Sequence, residues 1–180
     1  MPRLPLKGLV LVIVMVVTVV ADQGTKAWAR TLPTDPVGCM TAELAAHTCR
    51  GVAQPVIDGY WDWELAMNTG AAFSMFGSSR IVLSGLALIA IGLMVLAMWR
   101  TPAGERWRRL AYALLAGGAL GNLVDRVRDG AVTDFVRWRV HEHHWPIFNL
   151  ADVALVLGVV VLLATSLRPR SKLATAAATT

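Results

Sequence analysis

The sequence predicts a polytopic α-helical membrane protein with four transmembrane helices. Three observations carry this. In 180 residues the hydrophobic fraction is 56% and the charged fraction 16%, more apolar than an average soluble domain. The apolar residues are gathered into runs instead of being spread at amphipathic spacing. Four runs, residues 4–21, 81–99, 107–124 and 148–167, approach the roughly 20 residues that a helix needs to cross the hydrocarbon layer. Residues 1–172 read as a single membrane domain, and residues 173–180 as a disordered tail.

The first run has GLVLVIVMVVTVVA at its heart. Arg3 and Lys7 before it also fit a secretory signal peptide. Retaining it gives an even number of spans, with both termini on one side. That side then collects nine Lys/Arg and one acid, Glu105, in three short segments beside helix ends; the other holds eight Lys/Arg and eleven acids. The packing of the basic residues places both termini in the cytoplasm. The basic balance, 17 Lys+Arg against 12 Asp+Glu, is that of a membrane protein with basic loops. No basic-aromatic interleaving or motif suggests nucleic acid as a partner.

Residues 22–80 form the first outward loop. Pro33, Pro36 and Pro55 punctuate it, and the alternation over residues 56–65 predicts short strands. Cys39 and Cys49 both lie here. An extracytoplasmic setting permits a disulfide between them as a loop staple, two free thiols being the alternative. The second run is almost wholly apolar. The second outward loop, residues 126–147, is rich in Trp and His. Trp61, Trp63, Trp138 and Trp145 suit a membrane interface. His141, Glu142, His143 and His144 lack the HExxH spacing, since Trp145 stands where the second His would be; no metal is expected.

The third and fourth runs carry polar residues where they are costly, and such residues default to a functional reading. Gly118, Asn122, Asp125 and Arg126 share a face of the third run by three- and four-residue spacing. Gly117 and Gly121 form a small-xxx-small pair suited to close helix approach. Asn149 and Asp152 share a face at the start of the fourth. Asp134 and Asp152 are separated by a short out-and-back loop that can bring their carboxyls together. Two carboxylates at one site share a proton and titrate as a unit. That is the chemistry of peptide hydrolysis, in which one takes a proton from water while the other polarises the carbonyl. The bland alternative is two unrelated interfacial acids.

Five segments, in order, resemble the motifs of the prolipoprotein signal peptidase (type II signal peptidase) family. They are Asp22-Gln23-Gly24-Thr25-Lys26, Asn68-Thr69-Gly70-Ala71-Ala72-Phe73, Gly121-Asn122-Leu123-Val124-Asp125-Arg126, Asp134-Phe135 and Phe148-Asn149-Leu150-Ala151-Asp152. The resemblance implies four helices with a small extracytoplasmic β-sheet cradle. It also implies an aspartyl endopeptidase of the bacterial plasma membrane that cleaves just before a diacylglyceryl-modified cysteine. Asp134 and Asp152 match the catalytic pair. Asn68, Gly70, Asn122, Arg126 and Asn149 match substrate-site positions, and Asp22, Lys26 and Asp125 match positions of structural role. No cofactor is implied. The implied partners are prolipoprotein substrates and membrane lipids, with cyclic peptide antibiotics such as globomycin as inhibitors, acting on a monomer. The first outward loop is longer than is usual for the family, with the segment from Cys39 to Cys49 as the insertion. Rival readings are a proton-coupled carrier, whose site would lie nearer the midplane, and a scaffold whose polar residues only join helices.

Overall fold

The computed structural model describes residues 6–35, 50–70, 80–140 and 142–167. Cys39, Cys49 and the tail at 173–180 lie outside them, as do Ala71, Ala72, Phe73 and His141. Ten elements follow in order: α1 (Leu6–Ala29), β1 (Thr34–Asp35), β2 (Arg50–Gly51), β3 (Gln54–Ile57), β4 (Trp61–Asn68), α2 (Arg80–Arg100), α3 (Arg106–Asp129), β5 (Val132–Val140), β6 (His143–His144) and α4 (Leu150–Ser166).

The helices make one bundle with α3 at its centre, packed against α1, α2 and α4. Small residues set the spacing. A side chain at Gly117 would meet Thr18 of α1, at Gly118 Leu155 and the Ala151 carbonyl of α4, and at Gly158 Leu115 and the Ala111 carbonyl. Small residues at these crossings let the backbones approach closely. The outer surfaces carry exposed Val12, Ile13, Val16, Val17 and Val20 on α1, Leu86, Leu88, Ile89 and Leu93 on α2, and Val156, Val159, Val160 and Leu163 on α4. So much exposed apolar surface belongs against hydrocarbon. By length and composition α1 (over Leu11–Ala29) and α2 (over Ile81–Arg100) can cross a membrane; α4 is apolar but shorter.

Three of the four helices run past the ends of their apolar runs. α1 continues past residue 21 to Ala29, so Asp22 and Lys26 are helical and belong to no loop. The turn stays helical because Lys26 pairs with Asp22 one turn back, at 2.8 Å. α3 likewise continues past residue 124 to Asp129 and stops where Gly130 turns left-handed at φ 75°. α4 begins at Leu150, two residues inside the apolar run, because Asn149 caps it.

The expected strands form. β3, a turn at residues 58–60 and β4 make a hairpin, and the antiparallel order is β3-β4-β5-β6. β4 pairs with β5 in a register that sets Ala66 opposite Asp134 and Asn68 opposite Val132, with an irregularity between Trp63 and Ala66. The sheet is seated on the end of α1 by a cluster of Ala29, Leu65 and Phe135. Trp28 meets Trp63 edge-on at 5.0 Å and Phe135 at 5.9 Å. Docked there, β5 carries Asp134 to the mouth of the bundle.

Candidate active site

Three elements meet at this mouth. Asp134 lies early in β5, buried at 2% exposure. Asp152 lies in the first turn of α4, and Asn122 faces it from α3. A chain of amides joins them. Asn149 Nδ2 donates to Asp134 Oδ1 at 2.6 Å and to Asn122 Oδ1 at 3.1 Å. Asn122 Nδ2 donates to Asp152 Oδ1 at 2.9 Å. The backbone N–H of Asn149 donates to Asp152 Oδ2 at 3.1 Å, and the Asn149 side chain accepts from the N–H of Asp152 at 3.0 Å. This reciprocal pair is a capping box, with Asp in the third-residue role. One residue, Asn149, therefore donates to both carboxylates while starting the helix that bears one of them.

The outer side is fixed by Asn68, at the end of β4. Its Nδ2 donates to Asp134 Oδ2 at 3.0 Å, while its Oδ1 accepts the N–H of Gly70 at 2.9 Å. Gly70 sits at φ 85°, a conformation open to glycine at little cost. A Cβ there would also press on Leu83 of α2. The turn thus sets which face of the Asn68 amide meets Asp134.

Burial, and then the charge of neighbouring Asp152, push the Asp134 carboxyl up to about 7; the donors Asn68 and Asn149 and the charge of Lys26 pull the other way. Desolvation and a like charge both disfavour a second anion.

Beneath the carboxylates is a second polar layer. Lys26, fully buried, pairs with Asp22 at 2.8 Å and Asp125 at 3.2 Å, and donates to Asn122 Oδ1 at 2.9 Å. Asp22 Oδ1 accepts the N–H of Ala151 in the first turn of α4 at 3.0 Å, where acids are favoured. Asp125 Oδ2 accepts the N–H of Thr133 at 2.9 Å and so anchors the start of β5. Asp22, Lys26 and Asp125 thus hold α1, α3, α4 and β5 together, and Asp125 is taken up by Lys26, Gln23, Arg30 and the Thr133 N–H.

Arg126, one turn beyond Asn122, lies within electrostatic reach of Asp152, Asp134 and Asp125. Among the described residues it forms no ion pair, which leaves its donors available at the mouth. Two contributors escaped the sequence reading. Gln23 Nε2 donates to Asp125 Oδ1 and to the Gly121 carbonyl. Arg30 ties Asp129, at 2.7 Å, to Thr133. The signal for Arg30 was the four-residue step Asp22, Lys26, Arg30, visible once α1 is carried past residue 21.

At this end of the bundle, buried amides gather two carboxylates. The description Signal peptidase (SPase) II fits residues 14–168. The lipoprotein signal peptidase of Xylella fastidiosa (strain 9a5c) is 38% identical over 157 residues, 85% of each chain. That of Xanthomonas campestris pv. campestris (strain 8004) is 37% identical over the same shares. A solved bacterial membrane enzyme, determined by the in meso method at 1.9 Å, superposes with a TM-score of 0.72 at 25% identity, covering 89% of this chain and 94% of its own. The chain belongs to the signal peptidase II family, and so is an aspartic-type membrane protease.

Proposed function

We propose that this protease removes the signal peptide from diacylglyceryl-modified prolipoproteins by cutting just before the lipidated cysteine, with Asp134 and Asp152 activating water. The observation that carries the reading is that Asn149 donates to both carboxylates.

The roles follow from the surroundings. Asp134, pushed up to about 7, is the proton-bearing partner and donates to the scissile carbonyl oxygen. Asp152, presented to two N–H donors, is the acceptor that takes a proton from the attacking water. The water oxygen bonds to the carbonyl carbon, giving a neutral tetrahedral diol. As the C–N bond breaks, the departing nitrogen takes the proton held by Asp152, and a diol hydroxyl returns one to Asp134. Both carboxyls end as they began. Arg126, Asn68 and the Gly70 turn line the approach and hold the extended substrate backbone in line.

A lipid-anchored substrate arrives sideways from the bilayer, and its scissile bond lies at the depth of its anchored cysteine. This reading puts the mouth of the bundle near the extracytoplasmic face of the bacterial plasma membrane, with all four helices spanning and both termini cytoplasmic. Cyclic peptides of the globomycin kind would occupy the same mouth as inhibitors of a monomer. Asp134→Asn and Asp152→Asn should each lower cleavage of a lipidated precursor in detergent by about 10³-fold or more, with the fold retained. An Asp152→Asn protein that still cleaves at the original rate overturns the pair.

A further inference from the structure

The far end of the bundle holds a second polar feature that the proteolytic site does not use. A cavity of about 550 Å³ opens between the first turns of α3 and the early part of α1, lined by Arg106, Trp107, Arg109, Leu110, Leu11 and Val14. Arg109 is buried, with 9% exposure. Its Nε is enclosed without a hydrogen-bond partner, and among the described residues its guanidinium has no ion pair. A buried, unpaired guanidinium is costly.

Among the described residues no acid is placed to answer it. Residues 1–21 and 153–180 contain no Asp or Glu. At this end Glu105 stands alone, and it is paired with Arg108 at 2.5 Å. The N-terminus of α3 lacks a side-chain cap as well, leaving N–H groups that favour an anion. Arg106 lies 5.7 Å from the Trp107 ring, and Trp99 and Trp107 are exposed nearby, as side chains at a headgroup boundary are. Arg109 precedes Asn122 by 13 residues along α3, about 20 Å of helix, so the cavity is separate from the mouth.

We propose that this cavity binds the phosphodiester headgroup of an anionic membrane phospholipid. The guanidinium groups of Arg109 and Arg106 would meet its non-bridging oxygens in the planar geometry that arginine offers to phosphate. The cavity also has an apolar wall, Leu11, Val14 and Leu110, which gives the adjoining acyl chains a surface to follow. That wall favours a lipid over a free phosphate ion.

The test is native mass spectrometry of the full chain in detergent, titrated with phosphatidylglycerol or phosphatidylcholine, with size-exclusion profiles confirming each variant folded. Wild type should retain phosphatidylglycerol about tenfold better than phosphatidylcholine, and Arg109→Met should erase that preference. Arg106→Gln should weaken it and decides the matter if Arg109→Met fails to fold. Arg108→Gln, whose partner is Glu105, should leave it unchanged. Equal retention by wild type and the folded Arg109 or Arg106 variant overturns the site. Displacement of phosphatidylglycerol by excess inorganic phosphate overturns its assignment to a lipid.

Discussion

Asn149 touches more of the site than either aspartate. It caps α4, donates to Asp134 through its side chain and to Asp152 through its backbone, and reaches Asn122. Asn149→Ala keeps the backbone donor and loses the rest. The lost cap should cost about 1 kcal/mol in a denaturation series, while a slackened Asp134 should lower kcat by about a hundredfold. A rate loss no larger than the stability loss would mean that Asn149 is a cap alone. Asp134 gives a pH signature. Its carboxyl stands at about 7 in the folded protein against an ordinary value of 3.8, so the folded state holds the proton more tightly than the unfolded chain. Its contribution to stability is then greatest at low pH and falls as pH rises between those two values. Cleavage should fall as pH rises through about 7, because the proton-bearing form is lost. Asp134→Asn should melt with a flatter pH dependence than wild type, checked in detergent between about pH 5 and pH 8. Spacing along the chain could not show what Asp125, so close to Asp134, is for, because periodicity says nothing of where a strand starts. The hydrogen bond from the Thr133 N–H to Asp125 shows it: Asp125 holds the start of the strand, and the strand carries Asp134.

Between the helices the decisive contacts are polar and buried. Lys26 answers two carboxylates, on α1 and α3, and all three side chains are shielded from solvent. Lys26→Met keeps the apolar stem and leaves Asp22 and Asp125 uncompensated. It should cost about 3–5 kcal/mol, read as a lowered unfolding midpoint in detergent, with activity lost as the α4 end loosens. Gly121 faces the same group, where an added Cβ would press on the Asp22 carboxylate. The helices and the β3–β4 hairpin were legible in the sequence, because hydropathy runs and period-two alternation are local. The reach of α1 to Ala29 was not. Charged residues at 22, 26 and 30 look like a loop until partners on α3, about a hundred residues away, absorb their charge. The glycine seam on α3 was legible as a pattern, but which helix each glycine faces is a tertiary fact.

Across the whole molecule, an apolar bundle supports a small aromatic-rich sheet, and the carboxylates lie at the joint between them. On the proposed function, substrate entering there from the bilayer would be held by its lipid before its peptide meets Arg126. Precursor lacking the diacylglyceryl group should therefore not be cleaved under conditions where the lipidated form is consumed, read on a gel; equal turnover of the two would remove lipid from the recognition. The bond from the Ala151 N–H to Asp22 spans 129 residues and fixes an order of events during synthesis. At ~5–20 residues per second, on the order of ten seconds pass between the emergence of Asp22 and that of its last partner. Until α3 follows, about a hundred residues after α1's polar turn, Asp22 and Lys26 have each other and little else. The final helix is thus the last of the described elements to be made and the one that completes the mouth, so a nascent chain stalled before α4 and its cap lacks both Asn149 and Asp152.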